Sequence, residues 1–353
     1  MARERSRARI DRLCGPGGDV DPRTLRQRLL EEIRQVAGFD AYAWLLTDPE
    51  TSVGSAPLAD VPPPLVPQLP RLIRSKYLTE VNRWTALGTA VATLHEATGG
   101  DLSRSLLWRE LLGRYGVVDV ASMVFNDRYG CWGFLDLWRV GAAAPFTRGE
   151  VDFLAGIRDA VTTALRRCQA NTFFSRPTRE TRWPGPAMLL LSPELDVLGQ
   201  TPETHEYLRV LVPPSDGRAP IPASSYNVAA QLLAVEAEVD RNQPTTRVHL
   251  SDGLWLTLRA ARIADAQPPD QRNIAVTIEA ASPVDRMSLF GRAFGLSVRE
   301  RELVDHLMTG VDTKEVARRM FLSEHTVQDH LKSIFSKTSV RNRRTLLSRA
   351  LGT

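Results

Sequence analysis

Four side chains in one short stretch, Thr326, Gln328, Asp329 and Lys332, carry hydrogen-bonding groups at spacings that group them on one side of a helix. Their chemistry is non-covalent. An amide both donates and accepts, a carboxylate accepts, an ammonium donates, and a hydroxyl does either. Around them stand Lys314, Arg318, Lys337, Arg341 and Arg343, cations suited to a polyanion. Ser323 stands where a helix would open, and a helix N-terminus offers free N–H groups to a phosphate. Other chemistry finds little support. The chain has no HExxH, GxSxG, GxxxxGK[ST] or GxGxxG motif. Its three cysteines, Cys14, Cys131 and Cys168, are too far apart for a disulfide framework or a metal set. No enzyme activity, cofactor or metal is expected.

Charge is unevenly placed. Residues 286–353 hold 13 Lys and Arg against 7 Asp and Glu, a net +6, while the whole chain carries only +4, so residues 1–285 carry −2. Positive charge concentrated in a short segment is the electrostatic footprint of nucleic-acid binding. The 353 residues, 43% of them apolar, are enough for two or three domains with real cores. No apolar run of about 18 residues marks a membrane span. The basic start, MARERSRARI, lacks the apolar part of a signal peptide and reads as a solvated tail over 1–21. A cytoplasmic chain is expected.

The segment from Leu296 onward supplies the elements that position the polar groups. Ser297 with Glu300, and Asp312 with Glu315, read as capping boxes for two helices. Val298, Leu303, Val304, Leu307 and Met308 form the first apolar stripe, Gly310 stops that helix, and Val316, Ala317 and Met320 face inward on the second. Phe321-Leu322 connects to a third helix, capped by Ser323, with Val327, Leu331, Ile334 and Phe335 on its apolar face. A fourth, Asn342–Leu351, buries Leu346, Leu347 and Ala350. Two short helices across a tight turn, the second exposed and basic, form a helix-turn-helix. With its apolar face committed to the core, the third helix presents Thr326, Gln328, Asp329 and Lys332 to a major groove about 12 Å wide. Lys314, Arg318, Ser323, Lys337, Arg341 and Arg343 are placed for the DNA backbone.

Over its whole length this segment resembles the LuxR/GerE-type C-terminal domain. The resemblance rests on Leu296, Arg299-Glu300, Gly310, Lys314-Glu315-Val316-Ala317, Leu322-Ser323, Thr326-Val327, His330, Ile334, Lys337 and Val340. It implies an all-α four-helix transcription-regulator domain that binds repeated sites on double-stranded DNA as a homodimer, with the fourth helix in the dimer contact. The chain departs from the family pattern where Gln328 replaces a basic residue, Asp329 a small polar one, and Thr338-Ser339 a Leu-Gly pair.

Upstream, residues 22–37 carry helical spacing, AYAWLL reads as a strand, and 61–70 is a Pro-rich irregular connection. VVDVASMVFND and CWGFLDLWRV read as a hairpin, closed by a helix over 148–168. This order resembles a GAF domain over 22–170. After a linker at 171–184, two strands, helices over 203–211 and 226–239 and three further strands resemble a PAS domain over 185–283. Residues 284–353 complete the chain, with a linker expected at 284–295. The expected fold is multidomain, with two α/β modules built on mostly antiparallel sheets ahead of the all-α domain. The GAF–PAS–LuxR order is similar to that of a class of actinobacterial regulators. Tyr42, Trp44, Trp84, Trp108 and Trp132 are candidate lining groups for a small-molecule pocket, or else ordinary core. Cys131 can hold a thioether contact or sense oxidants, or be a buried bystander. His95 and His249 are haem-ligand candidates or ordinary structural residues. The upstream half either senses a ligand or only dimerises and docks a protein partner, and an enclosed, partly polar cavity would favour the first.

Overall fold

The computed structural model describes residues 2–16, 21–174, 185, 187–204, 207, 222–250, 254–264 and 268–352. They form two compact units. One comprises 1–165, 184–248 and 256–279, and the other 166–183, 249–255 and 280–353. Among the described residues, no helix is long and apolar enough to cross a membrane.

The first unit opens with helices α1 (Ala2–Leu13) and α2 (Pro22–Arg34). The basic start is therefore a helix and not a solvated tail. It packs on α2 with Ile10 fully buried, and Arg7 donates to the Gly156 carbonyl at 3.0 Å. With eight of its first twelve residues polar or charged, its apolar period is too sparse to read from sequence. Asp21 caps α2 by accepting from the N–H groups of Arg23 and Thr24.

Five strands follow: β1 (Ala41–Thr47), β2 (Gly54–Asp60), β3 (Val91–Thr93), β4 (Val117–Asp127) and β5 (Gly130–Val140). They pair antiparallel in the order β2-β1-β5-β4-β3. The register places Ala43, Asp136 and Ser122 in one row, flanked by Ala41, Trp138 and Val120 on one side and Leu45, Phe134 and Val124 on the other. Residues two apart share a face, so these nine stand on one side of the sheet while Trp44, Leu135 and Met123 stand on the opposite one. Helix α3 (Leu69–Leu78) emerges from the Pro-rich stretch expected to be irregular, with Pro70 tolerated in its first turn. Helix α4 runs Arg148–Asn171, three residues past its expected end, and continues as a turn through Phe174.

A second sheet contains β6 (Ala187–Leu191), β7 (Val197–Gln200), β8 (Thr245–His249), β9 (Trp255–Arg262) and β10 (Ile274–Ala280), in the order β7-β6-β10-β9-β8. Counted along the chain, this is the same strand order as the first sheet. Of the expected helix over 203–211, residues 205–206 and 208–211 lie outside the described residues. Helix α5 (Ala223–Glu236) is buried on nearly every side and packs against α3 and β2. Within the same unit, Arg247 on β8 grips Asp48 after β1 with a bidentate pair, Nε–Oδ2 at 2.6 Å and Nη2–Oδ1 at 2.7 Å.

The second unit is helical: α6 (Pro283–Ala293), α7 (Val298–Met308), α8 (Thr313–Met320), α9 (Glu324–Thr338) and α10 (Arg343–Leu351). The expected linker at 284–295 is thus mostly helix. Ser282 and Asp285 close a reciprocal capping box, and Met287, Leu289, Phe290 and Ala293 are buried. Apolar residues spaced three and four apart carried that signal. Phe173 stacks on Trp255 at 5.4 Å and meets Phe290 edge-on at 5.4 Å. The helix-turn-helix core is Leu303, Val304, Leu307, Val316, Ala317, Met320, Val327, Leu331, Ile334, Leu346 and Ala350, all buried. Val298, expected in that core, is 71% exposed because it occupies the first turn of α7, outside the stripe.

Candidate nucleic-acid interface and ligand cavity

Short-range caps set the geometry of the reading helix. Helix α8 ends at Phe321 in the left-handed conformation (φ 55°), and the Leu322 N–H closes the turn on the Ala317 carbonyl at 2.9 Å. Ser323 then caps α9, its Oγ accepting from the Thr326 N–H at 3.1 Å. That bond, and the 2.9 Å contact between the two hydroxyls, commit Ser323 and the half-buried Thr326 to the cap. Burying Val327, Leu331 and Ile334 turns Gln328, Asp329 and Lys332 outward, all exposed. His325 joins them one turn before Asp329. The sequence reading missed it, although positions 325, 329 and 332 repeat at helical spacing.

The polar groups on this face differ in availability. The Gln328 side chain makes no hydrogen bond among the described residues, and neither do the exposed Lys314 and Arg341. Asp329 takes the Lys332 ammonium at 3.1 Å and lies 3.4 Å from His325 Nε2. The Lys332 hydrogen bond holds the Asp329 carboxyl below its usual range. Arg318 and Arg319 both pair with Glu315, at 2.6 and 2.7 Å. Glu315 therefore does not complete the second expected capping box, in which only the Asp312 carboxylate acts. Arg343 donates to the Leu307 carbonyl at 2.9 Å.

Lys337 is engaged most firmly. Its Nζ lies 2.6 Å from Glu300 Oε2, and Glu300 also accepts from Ser333 Oγ and the Ser297 N–H, each at 2.6 Å. One carboxylate thus joins the start of α7 to the middle and end of α9. Burial alone would raise the Glu300 carboxyl, but these bonds outweigh it and hold it at about 2.

In the first unit, a cavity of about 480 Å³ lies over the sheet face that carries Ala43, Leu45, Val120, Ser122, Asp136 and Trp138, with α3 and part of α5 completing its wall. Lys76 and Asp136 form an ion pair at 2.9 Å within it, both nearly buried. Lys76 also reaches Ser122 Oγ at 3.2 Å, and Trp84 Nε1 donates to the other Asp136 oxygen at 2.8 Å. Of the five aromatic candidates, only Trp84 lines this cavity. Trp44 stacks on Phe125 at 5.3 Å on the opposite face. Trp132 donates to Asp127 at 3.1 Å, Trp108 donates to the Val117 carbonyl at 2.7 Å, and Tyr42 meets Phe39 edge-on at 6.0 Å. Cys131 is buried, and burial pushes its thiol up to about 11, far from a reactive thiolate.

Comparison with known proteins singles out the helical segment. Residues 295–350 match the family model of bacterial regulatory proteins, luxR family. Over 48 residues the chain is 44% identical to the CsgBAC operon transcriptional regulatory protein of Escherichia coli, covering 14% of this chain and 22% of that one. Over 60 residues it is 40% identical to the probable HTH-type transcriptional regulator GfsR of Streptomyces halstedii, 17% of this chain and 25% of that one. The spore germination protein GerE of Bacillus subtilis matches at 40% over 48 residues, 14% of this chain and 65% of that one. The first of these matches span only about a quarter of the relatives' own length. A structure of SdiA in complex with octanoyl-rac-glycerol aligns over 99% of this chain and 93% of that one, at 11% identity and a TM-score of 0.33, too low to carry an inference about the fold. The family match thus lies at one end of the chain, and there residues 295–350 form a helix-turn-helix of the luxR type.

Proposed function

We propose that the chain is a cytoplasmic transcription regulator that binds double-stranded DNA as a homodimer, reading sequence with α9 under control of a small molecule held in the first unit. The carrying observation is the outward face of α9, where Gln328 is free beside Asp329 and Lys332 on a helix whose other face is buried in a luxR-type core. A Gln amide matches adenine N6 and N7, and Lys matches guanine or phosphate. Lys314 and Arg341, exposed and unpaired, serve the backbone, and Arg318, Arg343 and Lys337 join them to the extent that they leave their protein partners. The two sheets with the same 2-1-5-4-3 strand order support reading residues 22–170 as GAF-like and 185–283 as PAS-like. The cavity favours ligand sensing over docking alone, because its size suits a small molecule and its apolar wall carries a few placed polar groups.

The test is duplex binding by the full chain, followed by fluorescence anisotropy across a salt series. Counterion release predicts a log–log slope of about −3 or steeper if three or more cations meet phosphates. A flat response would refute the interface.

A further inference from the structure

The cavity over the first sheet is closed partly by chain that lies far from that sheet in sequence. Helix α5 packs on α3 and β2, and its Ala223 and Asn227 stand in the cavity wall. Asn227 is fully buried against β2, where a Cβ added to Gly54 would come within 2.9 Å of its Oδ1 and 3.2 Å of its Cγ. Yet the seat of α5 is poorly matched to the helix. Four of its buried side-chain oxygens, Ser224 Oγ, Ser225 Oγ, Asn227 Oδ1 and Gln231 Oε1, have no hydrogen-bond partner among the described residues. Unpaired polar groups in an interior favour any state in which water can reach them. The apolar contacts of Val228, Ala229, Ala230 and Ala234, all fully buried, hold the helix down against that penalty.

The chain after α5 is fastened around the first sheet at two places of unequal strength. The Arg247 N–H and Nε both donate to Asp48 Oδ2, at 2.9 and 2.6 Å, and Nη2 donates to Oδ1 at 2.7 Å, with neither side chain more than 5% exposed. Breaking a buried pair of this kind is strongly unfavourable. Asp240 is held less firmly. Its carboxylate accepts from Thr85 Oγ1 and lies 4.0 Å from Arg83 Nε. Those two residues flank Trp84, which lines the cavity and bonds Asp136 at 2.8 Å. Gln231 joins α5 to the Asp240 loop by donating to the Asn242 carbonyl at 3.0 Å. Between the helix and that loop, Glu238 sits in the left-handed region (φ 58°), where a residue with a side chain is strained.

We propose that α5 is a lid on the cavity, latched by Asp240 on the turn that carries Trp84 and pivoting about the Arg247–Asp48 pair. The inference rests on the reading that the first unit takes a small molecule. It adds which element admits the molecule and registers its presence. A molecule lying against Trp84 and α3 touches both surfaces that hold residues 223–240, so its binding and the seating of this segment are linked, and each shifts the other.

Hydrogen exchange and probe uptake, both on the full chain, test the lid. Thr85→Val removes the latch hydroxyl with little change in side-chain size. Peptides covering 223–236 should then exchange about tenfold faster, while those covering β4 keep wild-type protection. N-phenylnaphthylamine, an uncharged fluorophore that brightens in apolar surroundings, should enter the wild type with a measurable stopped-flow rise and enter Thr85→Val about threefold faster or more. Gly54→Cys combined with Asn227→Cys brings two sulfurs within bridging reach, since the added Cβ lies 3.2 Å from the Cγ position. Oxidised, this double variant should admit the probe about tenfold more slowly, and dithiothreitol should restore the rate. If the bridge does not form, Thr85→Val decides alone. Unchanged exchange in Thr85→Val, or an oxidised double variant that fills as fast as its reduced form, overturns the lid while the cavity reading stands. If no form of the chain takes up the probe, both are overturned.

Discussion

Replacing Glu300 with Gln should loosen α9 at neutral pH and have no effect in strong acid. The carboxylate is 3% exposed and accepts from the Ser297 N–H, Ser333 and Lys337. Its pKa falls from 4.5 to about 2, which at about 1.4 kcal/mol per unit sets a ceiling of about 3.5 kcal/mol. Lys337 remains 37% exposed, so solvent screens part of that attraction, and a net loss of about 2 kcal/mol is the working figure. The sign follows from the depressed pKa. The stabilisation is fully present above about 4.5 and is lost as pH falls through about 2. Hydrogen exchange on peptides covering 324–338 of the full chain at pH 7 should show protection reduced roughly thirtyfold in Glu300→Gln. Urea denaturation at stepped pH should show the wild-type advantage closing between about pH 4.5 and 2. An advantage that persisted unchanged at pH 2, or unaltered exchange at pH 7, would refute the clamp.

Three further outcomes follow from the same geometry. Asp329→Asn should free Lys332 and remove a negative charge from the DNA-facing surface, tightening duplex binding and steepening the salt slope by about one unit. Unchanged affinity in anisotropy titrations would show that this pair does not face DNA. Ser339 occupies a left-handed helix cap at φ 52°, where Gly is unstrained, so Ser339→Gly should stabilise the helical unit by about 1 kcal/mol in urea melts. Val327→Asp puts a charge at a fully buried helix contact and should abolish DNA binding by unfolding that unit, lost protection across 298–351 being the check.

The helix-turn-helix was legible because its instructions are local. Ser297 with Glu300, Asp312 and Ser323 each cap a helix through a residue three positions away, as the structure places them. The hairpin of β4 and β5 was legible for the same reason. What sequence could not show is long-range pairing. Lys337 reads as a free cation until the fold brings it to Glu300, 37 residues earlier. The cavity was hidden by strand parity. Both faces of the first sheet are covered, so β4 and β5 read as continuous apolar runs with no polar side to fix the register. Trp44 therefore looked as fit for the cavity as Trp138, which was not singled out, and Lys76 and Asn227 arrive from helices far along the chain. Helix α3 was disguised by prolines at 62, 63, 64, 67 and 70, most of them in the turn that precedes it.

Selection of binding sites from a random duplex pool tests the central claim most directly. The full chain should enrich repeated half-sites. Gln328→Ala should lose preference at one base pair per half-site, worth about 1–3 kcal/mol of discrimination, with the salt slope unchanged. Arg318→Ala should instead weaken all sequences alike and reduce the slope by about one unit. A wild-type chain that enriched no sequence would contradict the account. A Gln328→Ala consensus identical to the wild type would remove α9's outward face as the reader.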